Sequence, residues 1–135
     1  VMAGIPVPDP VLQMLKHPDS NKVLSVVSDD GFPHSIVLGA VLVGDDGMIY
    51  VGEAYMYRTS HYLERCPNAE FLVWKGKDGY SIRVVAEGRV AEGPVLKRMN
   101  EMLERKNMHA NALWAFRSVQ VWDESASSTS GDRVA

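Results

Sequence analysis

The sequence has almost no cysteine. Cys66 is the single one in 135 residues, so no internal disulfide can form and a reducing cytoplasm is the expected setting. It also lacks an excess of positive charge. Fourteen Lys and Arg stand against 17 Asp and Glu, for a net charge of −3, and the basic footprint of a nucleic-acid binder is missing. No apolar run approaches the roughly 20 residues that a membrane-spanning helix needs. Val1–Pro10 has neither a charged start nor a hydrophobic region, so no secretory signal is expected. His17, His34, His61, Cys66 and His109 are scattered with no metal-ligand spacing. There is no G-x-S-x-G, and no pair of carboxylates stands out as an acid/base couple. Cys66 sits at a helix end before Pro67, which is not an activating setting. Glu53 reads as a solvated loop residue.

What remains is a chain of one-domain size that is 46% hydrophobic and able to bury a core. Asp9-Pro10 opens a helix whose apolar face is Val11, Leu12 and Leu15, ended by His17-Pro18. Lys22–Ser28 reads as a strand, Asp29-Asp30-Gly31 as a hairpin turn, and Phe32–Val43 as a long second strand. That strand is apolar on both faces and so is expected to be covered on both. After a turn at Gly44-Asp45-Asp46-Gly47, Met48–Gly52 is a third strand. Ala69–Trp74 and Tyr80–Val90 follow as strands. Gly93-Pro94 opens a second long helix through about Asn107, and Ala112–Trp122 is an aromatic-rich last strand. Residues 1–122 form one domain in this reading, and the Ser-rich tail, 123–135, is expected to be disordered. Six strands joined mainly by tight turns predict a mainly β (α+β) fold, a closed or nearly closed antiparallel barrel with flanking helices.

One junction carries chemistry. The third strand breaks at Gly52, and a short helix follows with apolar Tyr62, Leu63 and Cys66 at helical spacing, stopped by Pro67. Thr59 or Ser60 can cap its start. Arg58, Thr59 and Ser60 thus meet free backbone N–H groups at a helix N-terminus, a combination suited to an anion such as phosphate. The ordinary capped helix with a surface Arg is the competing reading. His34 is open between a ligand bond and a satisfied residue at the barrel rim, and His109 is open in the same way. A phosphate site beside apolar strands, without catalytic side chains, suits a protein whose cofactor supplies the chemistry.

Three stretches carry a resemblance: LSVVSDDGFPHSIVLGAVLV, MIYVGEAYMYRTSHYLERCPNAEFLVW, and RVVAEGRVAEGP followed by a helix. In order, they resemble the split-barrel flavin-binding superfamily of pyridoxamine phosphate oxidase, nearest to its small dimeric FMN-binding and flavin-reductase-like members. Arg58-Thr59, Leu63 and Pro67 match the family spacing of a basic residue beside Ser/Thr, then Leu, then Pro. The resemblance implies a split β-barrel with FMN as cofactor. It implies that Arg58, Thr59 and Ser60 hold the phosphate. The flavin ring would lie along the second strand at His34, Ser35, Ile36, Val37 and Leu38. Met56 and Tyr57 would line the site, and His109 and Trp114 would complete it at a homodimer interface. Redox chemistry is implied, of the flavin-reductase or electron-transfer kind, with a nicotinamide donor as one partner. The alternative is a non-catalytic binding protein, a flavin store or a haem or F420 binder. The second strand departs from the family by carrying Val37 and Leu38 where relatives often have Asn or Thr. The substrate-binding Arg and His set of the true oxidases has no match here.

Overall fold

A computed structural model describes residues 4–44 and 46–135, so Asp45 of the Gly44–Gly47 turn lies outside the described residues. The elements are α1 (Asp9–Lys16), β1 (Asn21–Val27), β2 (Pro33–Val37), β3 (Val41–Val43), β4 (Ile49–Gly52), α2 (Tyr57–Arg65), β5 (Asn68–Lys75), β6 (Asp78–Val90), α3 (Pro94–Glu104) and β7 (Leu113–Asp123). All pairings are antiparallel, in the order β2-β1-β5-β6-β7-β4-β3. No helix among the described residues is long and apolar enough to cross a membrane.

The sheet has seven strands where six were expected. The long strand Phe32–Val43 is two, β2 and β3, separated at Leu38–Ala40. These two lie at opposite ends of the sheet. The chain leaves one edge at Leu38 and enters the other at Val41, so the curled sheet nearly closes on itself there without pairing. That gap splits the barrel. Leu38 N–H still donates to Lys22 O of the first hairpin at 3.0 Å, and the Lys106 ammonium reaches Gly39 O from beyond α3.

The interior is filled by inward residues from both halves: Leu24, Val26, Ile49, Val51, Phe71, Val73, Ile82, Val84, Trp114, Phe116 and Val121. Phe71 and Phe116 meet edge to face at 5.2 Å, a favoured aromatic geometry. A second cluster joins Met99 and Leu103 of α3 to Ala40, Ala110 and Leu113. Gly52 makes this possible. A Cβ there would lie 2.9 Å from both Met99 and Leu103 side chains, so any other residue would force those side chains aside.

Two expectations about the last strand change. Simple alternation puts Trp122 on the same face as Trp114 and Phe116. A register shift between Arg83 and Val84, opposite Gln120 and Ser118, inserts Val119 as an extra residue. Val121 therefore turns inward and Trp122 outward. The tail expected to be disordered folds back instead. Val121 and Asp123 donate to Ala135 O and Asp132 O, Arg133 bridges to Trp122, and the buried Ser125 hydroxyl accepts Gly79 N–H at 3.0 Å. These bonds offset the entropy that composition alone suggested would win.

Candidate functional site

The helix after β4 starts earlier than its Ser/Thr pair suggested. α2 begins at Tyr57, Met56 takes the cap position, and no side chain caps it. Thr59 and Ser60 lie in the first turn and face inward, Thr59 only 1% exposed. Each hydroxyl has a distant partner. Thr59 Oγ1 lies 3.1 Å from His34 Nε2 on β2, and Ser60 Oγ accepts the Trp114 indole N–H at 3.1 Å from β7. The first turn is thus clamped to two strands, and its N–H groups are left without a side-chain cap.

Arg58 points the other way. Its guanidinium donates to Tyr62 Oη at 3.2 Å and lies 5.7 Å from the centre of that ring. Tyr62 sits four residues on, one helical turn away. A cavity of about 320 Å³ opens here, lined by Ser28, Asp29, Asp30, Phe32, Pro33, His34, Arg58 and Tyr62. Arg58 forms no ion pair among the described residues, whereas Asp29 is taken up by His61 at 2.8 Å and Arg65 at 3.2 Å. Asp30 is held below the usual carboxylate range, first by the Ser28 hydroxyl and more weakly by the Arg58 charge. His34 is held below its ordinary value, chiefly by burial and then by Arg58, so its imidazole is neutral near pH 7.

β2 leads away from this cavity with one edge open. It pairs only with β1, and Leu38 N–H→Lys22 O and Ser28 N–H→Phe32 O fix which residues bond inward. Alternation then turns the N–H and C=O of Ser35 and Val37 toward the open edge. Val37 is 80% exposed, while Ile36 and Leu38 pack on the core. Leu38, expected beside the flavin ring, has its N–H committed to Lys22. At its far end β2 meets a narrow cleft of about 40 Å³ lined by Ile36, Val37, Leu38, Met56 and Met108, among others.

The remaining expected residues fall into two places. Tyr57 and His109 line a separate open cleft of about 480 Å³ with Tyr55 and Met108, and His109 Nδ1 is 3.8 Å from Glu104. Trp114 is inside the barrel, 5% exposed, where it holds Ser60. Glu53, read as solvated, pairs with Arg89 at 2.5 Å. Sequence reasoning passed over Tyr62 and the Asp29-Asp30 turn as parts of the Arg58 cavity. The spacing from Arg58 to Tyr62 was the available signal for the first. Nothing local announced the second.

No family model matches the sequence, and no curated protein matches it. Solved structures do. The HupZ protein of Group A Streptococcus superposes with a TM-score of 0.78 over 96% of this chain and 99% of that one, at 14% identity. An FMN-binding protein from Syntrophomonas wolfei subsp. wolfei gives 0.77 over 87% of this chain and 85% of that one, at 19% identity. The fold is the split barrel of the pyridoxamine phosphate oxidase-like proteins. An F420 reductase has the same fold, with a TM-score of 0.67, 13% identity, and coverage of 85% of this chain and 98% of that one.

Proposed function

We propose that this split barrel binds FMN and serves redox chemistry as a flavin reductase or electron carrier. The observation that carries the reading is the open edge of β2 running out of the Arg58 cavity. The donor set suits the group. Arg58 offers a guanidinium with no ion pair among the described residues, and the uncapped first turn of α2 offers N–H groups, both fitted to a phosphate monoester. Ser35 and Val37 offer alternating backbone donors and acceptors of the kind a flavin pyrimidine ring requires. Thr59 and Ser60 support the site from behind by fixing the helix start. Asp30 shares the cavity, so the phosphate depends on Arg58 to offset that carboxylate. Bound FMN would supply hydride or electron transfer, and the chain would hold and orient it.

A homodimer belongs to this reading. Trp114 and Phe116 of the last strand are internal and do not support it, whereas the apolar second strand does. Val37, Val27 and Leu72 are exposed on the outer face of β2-β1-β5, above an open hollow of about 440 Å³ that includes Ser25, Val27, Pro33, Glu70 and Arg83. Burying that apolar face against a second copy would place two flavins near the seam. The test is titration of purified protein with FMN, followed by flavin fluorescence and the visible spectrum. Stoichiometric quenching supports the reading. No response to FMN, with uptake of haem or F420 in its place, would move the assignment to the binding-protein alternative.

A further inference from the structure

His34 lines the Arg58 cavity, and its ring is fixed on two sides. Nε2 is 3.1 Å from Thr59 Oγ1, and the ring meets the Tyr62 ring edge to face at 5.3 Å. Nδ1 has no hydrogen-bond partner among the described residues. A neutral imidazole carries one N–H, and the partner of one nitrogen decides which nitrogen bears it. The buried Thr59 hydroxyl has His34 as its one side-chain partner among the described residues. When that hydroxyl donates to Nε2, the imidazole proton sits on Nδ1, the nitrogen left free for the cavity.

We infer that His34 is a direct ligand of a phosphate in this cavity, donating from Nδ1, and that Thr59 is the positioning residue that sets its tautomer. The inference rests on reading the cavity as a phosphate site. It gives the buried Thr59 hydroxyl a role that does not require it to touch the anion.

Arg58 and Tyr62 face His34 from α2, and Asp29 and Asp30 face it from the hairpin turn. With no anion bound, burial and Arg58 keep the ring neutral. Asp29 is paired with Arg65 and hydrogen-bonded to His61, and Asp30 accepts from Ser28. A phosphate beside the ring adds up to about two negative charges near pH 7. That charge opposes the effect of Arg58 and favours the imidazolium. His34 then takes one proton from solvent and donates from both nitrogens. Phosphate binding at this site is therefore coupled to proton uptake and is strengthened as pH falls toward the range where His34 titrates. The phosphate's own second ionisation is common to every variant, so it cancels when wild type and a His34 variant are compared.

The experiment is nitrogen NMR of the histidine rings of the full chain, with FMN and inorganic phosphate as separate probes. Nδ1 should read as protonated with and without the probe, and either probe should move the His34 Nε2 signal to its protonated position. In parallel, His34→Phe should weaken FMN about 10-fold, the loss of one hydrogen bond to a charged acceptor, and leave riboflavin unchanged. Thr59→Val should weaken FMN less and abolish the preference for the Nδ1–H form. An Nδ1 that stays unprotonated in the complex overturns the inference, as does equal loss of FMN and riboflavin in His34→Phe. If phosphate gives the doubly protonated ring but FMN does not bind, this assignment stands and the flavin reading falls. If FMN binds while both His34 ring signals stay unchanged, the flavin reading stands and this assignment falls. If neither probe binds, both fall.

Discussion

β2 and β7 both come from stretches of the sequence rich in apolar residues, yet the fold uses them in opposite ways. β7 has β6 along one edge. Its other edge is filled in turn by β4, by Ile5 donating to Ser118 O, and by the returning tail at Arg133. Its Phe116 is fully buried against Phe71. β2 has one neighbour, an open edge and an exposed Val37. Apolar content does not separate a strand that holds the fold from one that can bind. Position in the sheet does, and position follows from the break at Gly39, which leaves β2 at the margin.

The sharpest way to break this comparison is to truncate both strands. Phe116→Ala should destabilise by about 3–5 kcal/mol, the range for a large buried aromatic. At protein concentrations low enough to separate the proposed dimer, Val37→Ala should change stability by no more than about 0.5 kcal/mol, as at an open surface. Urea unfolding reads both. A large loss from Val37→Ala that depends on protein concentration would mean that a second copy covers β2, and would sharpen the dimer proposal.

Next in size is Arg58→Ala. Loss of a hydrogen bond to a charged group is worth about 1.5–3 kcal/mol, so FMN affinity should drop roughly 10- to 100-fold. Riboflavin, which has no phosphate, should bind as before. Equal loss of both ligands would make Arg58 a support of the fold.

Trp114→Phe links the two regions, because Trp114 belongs to β7 and holds the helix that faces β2. Removing its N–H leaves the buried Ser60 hydroxyl without that donor, a cost of about 1–3 kcal/mol in unfolding experiments. FMN affinity should fall by a smaller factor than in Arg58→Ala, since the phosphate contacts are loosened and not removed.

The smallest effect is the pH response of stability. His34 in the folded protein binds its proton less readily than the ordinary value of 6.5. The unfolded chain therefore binds more protons at mildly acid pH. The stability due to neutral His34 is complete above 6.5 and declines as pH falls through and below that value. His34→Gln should flatten this part of the curve, and an unchanged slope would mean that His34 is not the group responsible.

Much of this architecture was legible in the sequence, because hairpin turns and alternation are local. Asp29-Asp30-Gly31 ends β1, and Gly31 takes the positive φ of 84° that the turn needs. Ile82 and Val84 alternate as their strand requires. What was not legible was set by distant partners. Thr59 and Ser60 look like caps, but their hydroxyls are drawn inward by His34 and Trp114, 25 and 54 residues away. The strand break at Leu38–Ala40 lies within an unbroken apolar run with only Gly39 as a mark, and barrel closure decides it. The extra residue at Val119 leaves no trace in the pattern, so simple alternation misplaces Trp122. The Ser-rich tail has the composition of a disordered segment, yet Ser125 binds the Gly79 backbone.

The central claim is that the open edge of β2 receives the flavin. Hydrogen exchange of individual amides, with and without FMN, tests it most directly. The Ser35 and Val37 amides should exchange fast in the free protein and slow markedly at saturating FMN, while Phe116 is slow in both. Saturation by FMN with Ser35 and Val37 still exchanging fast would contradict it.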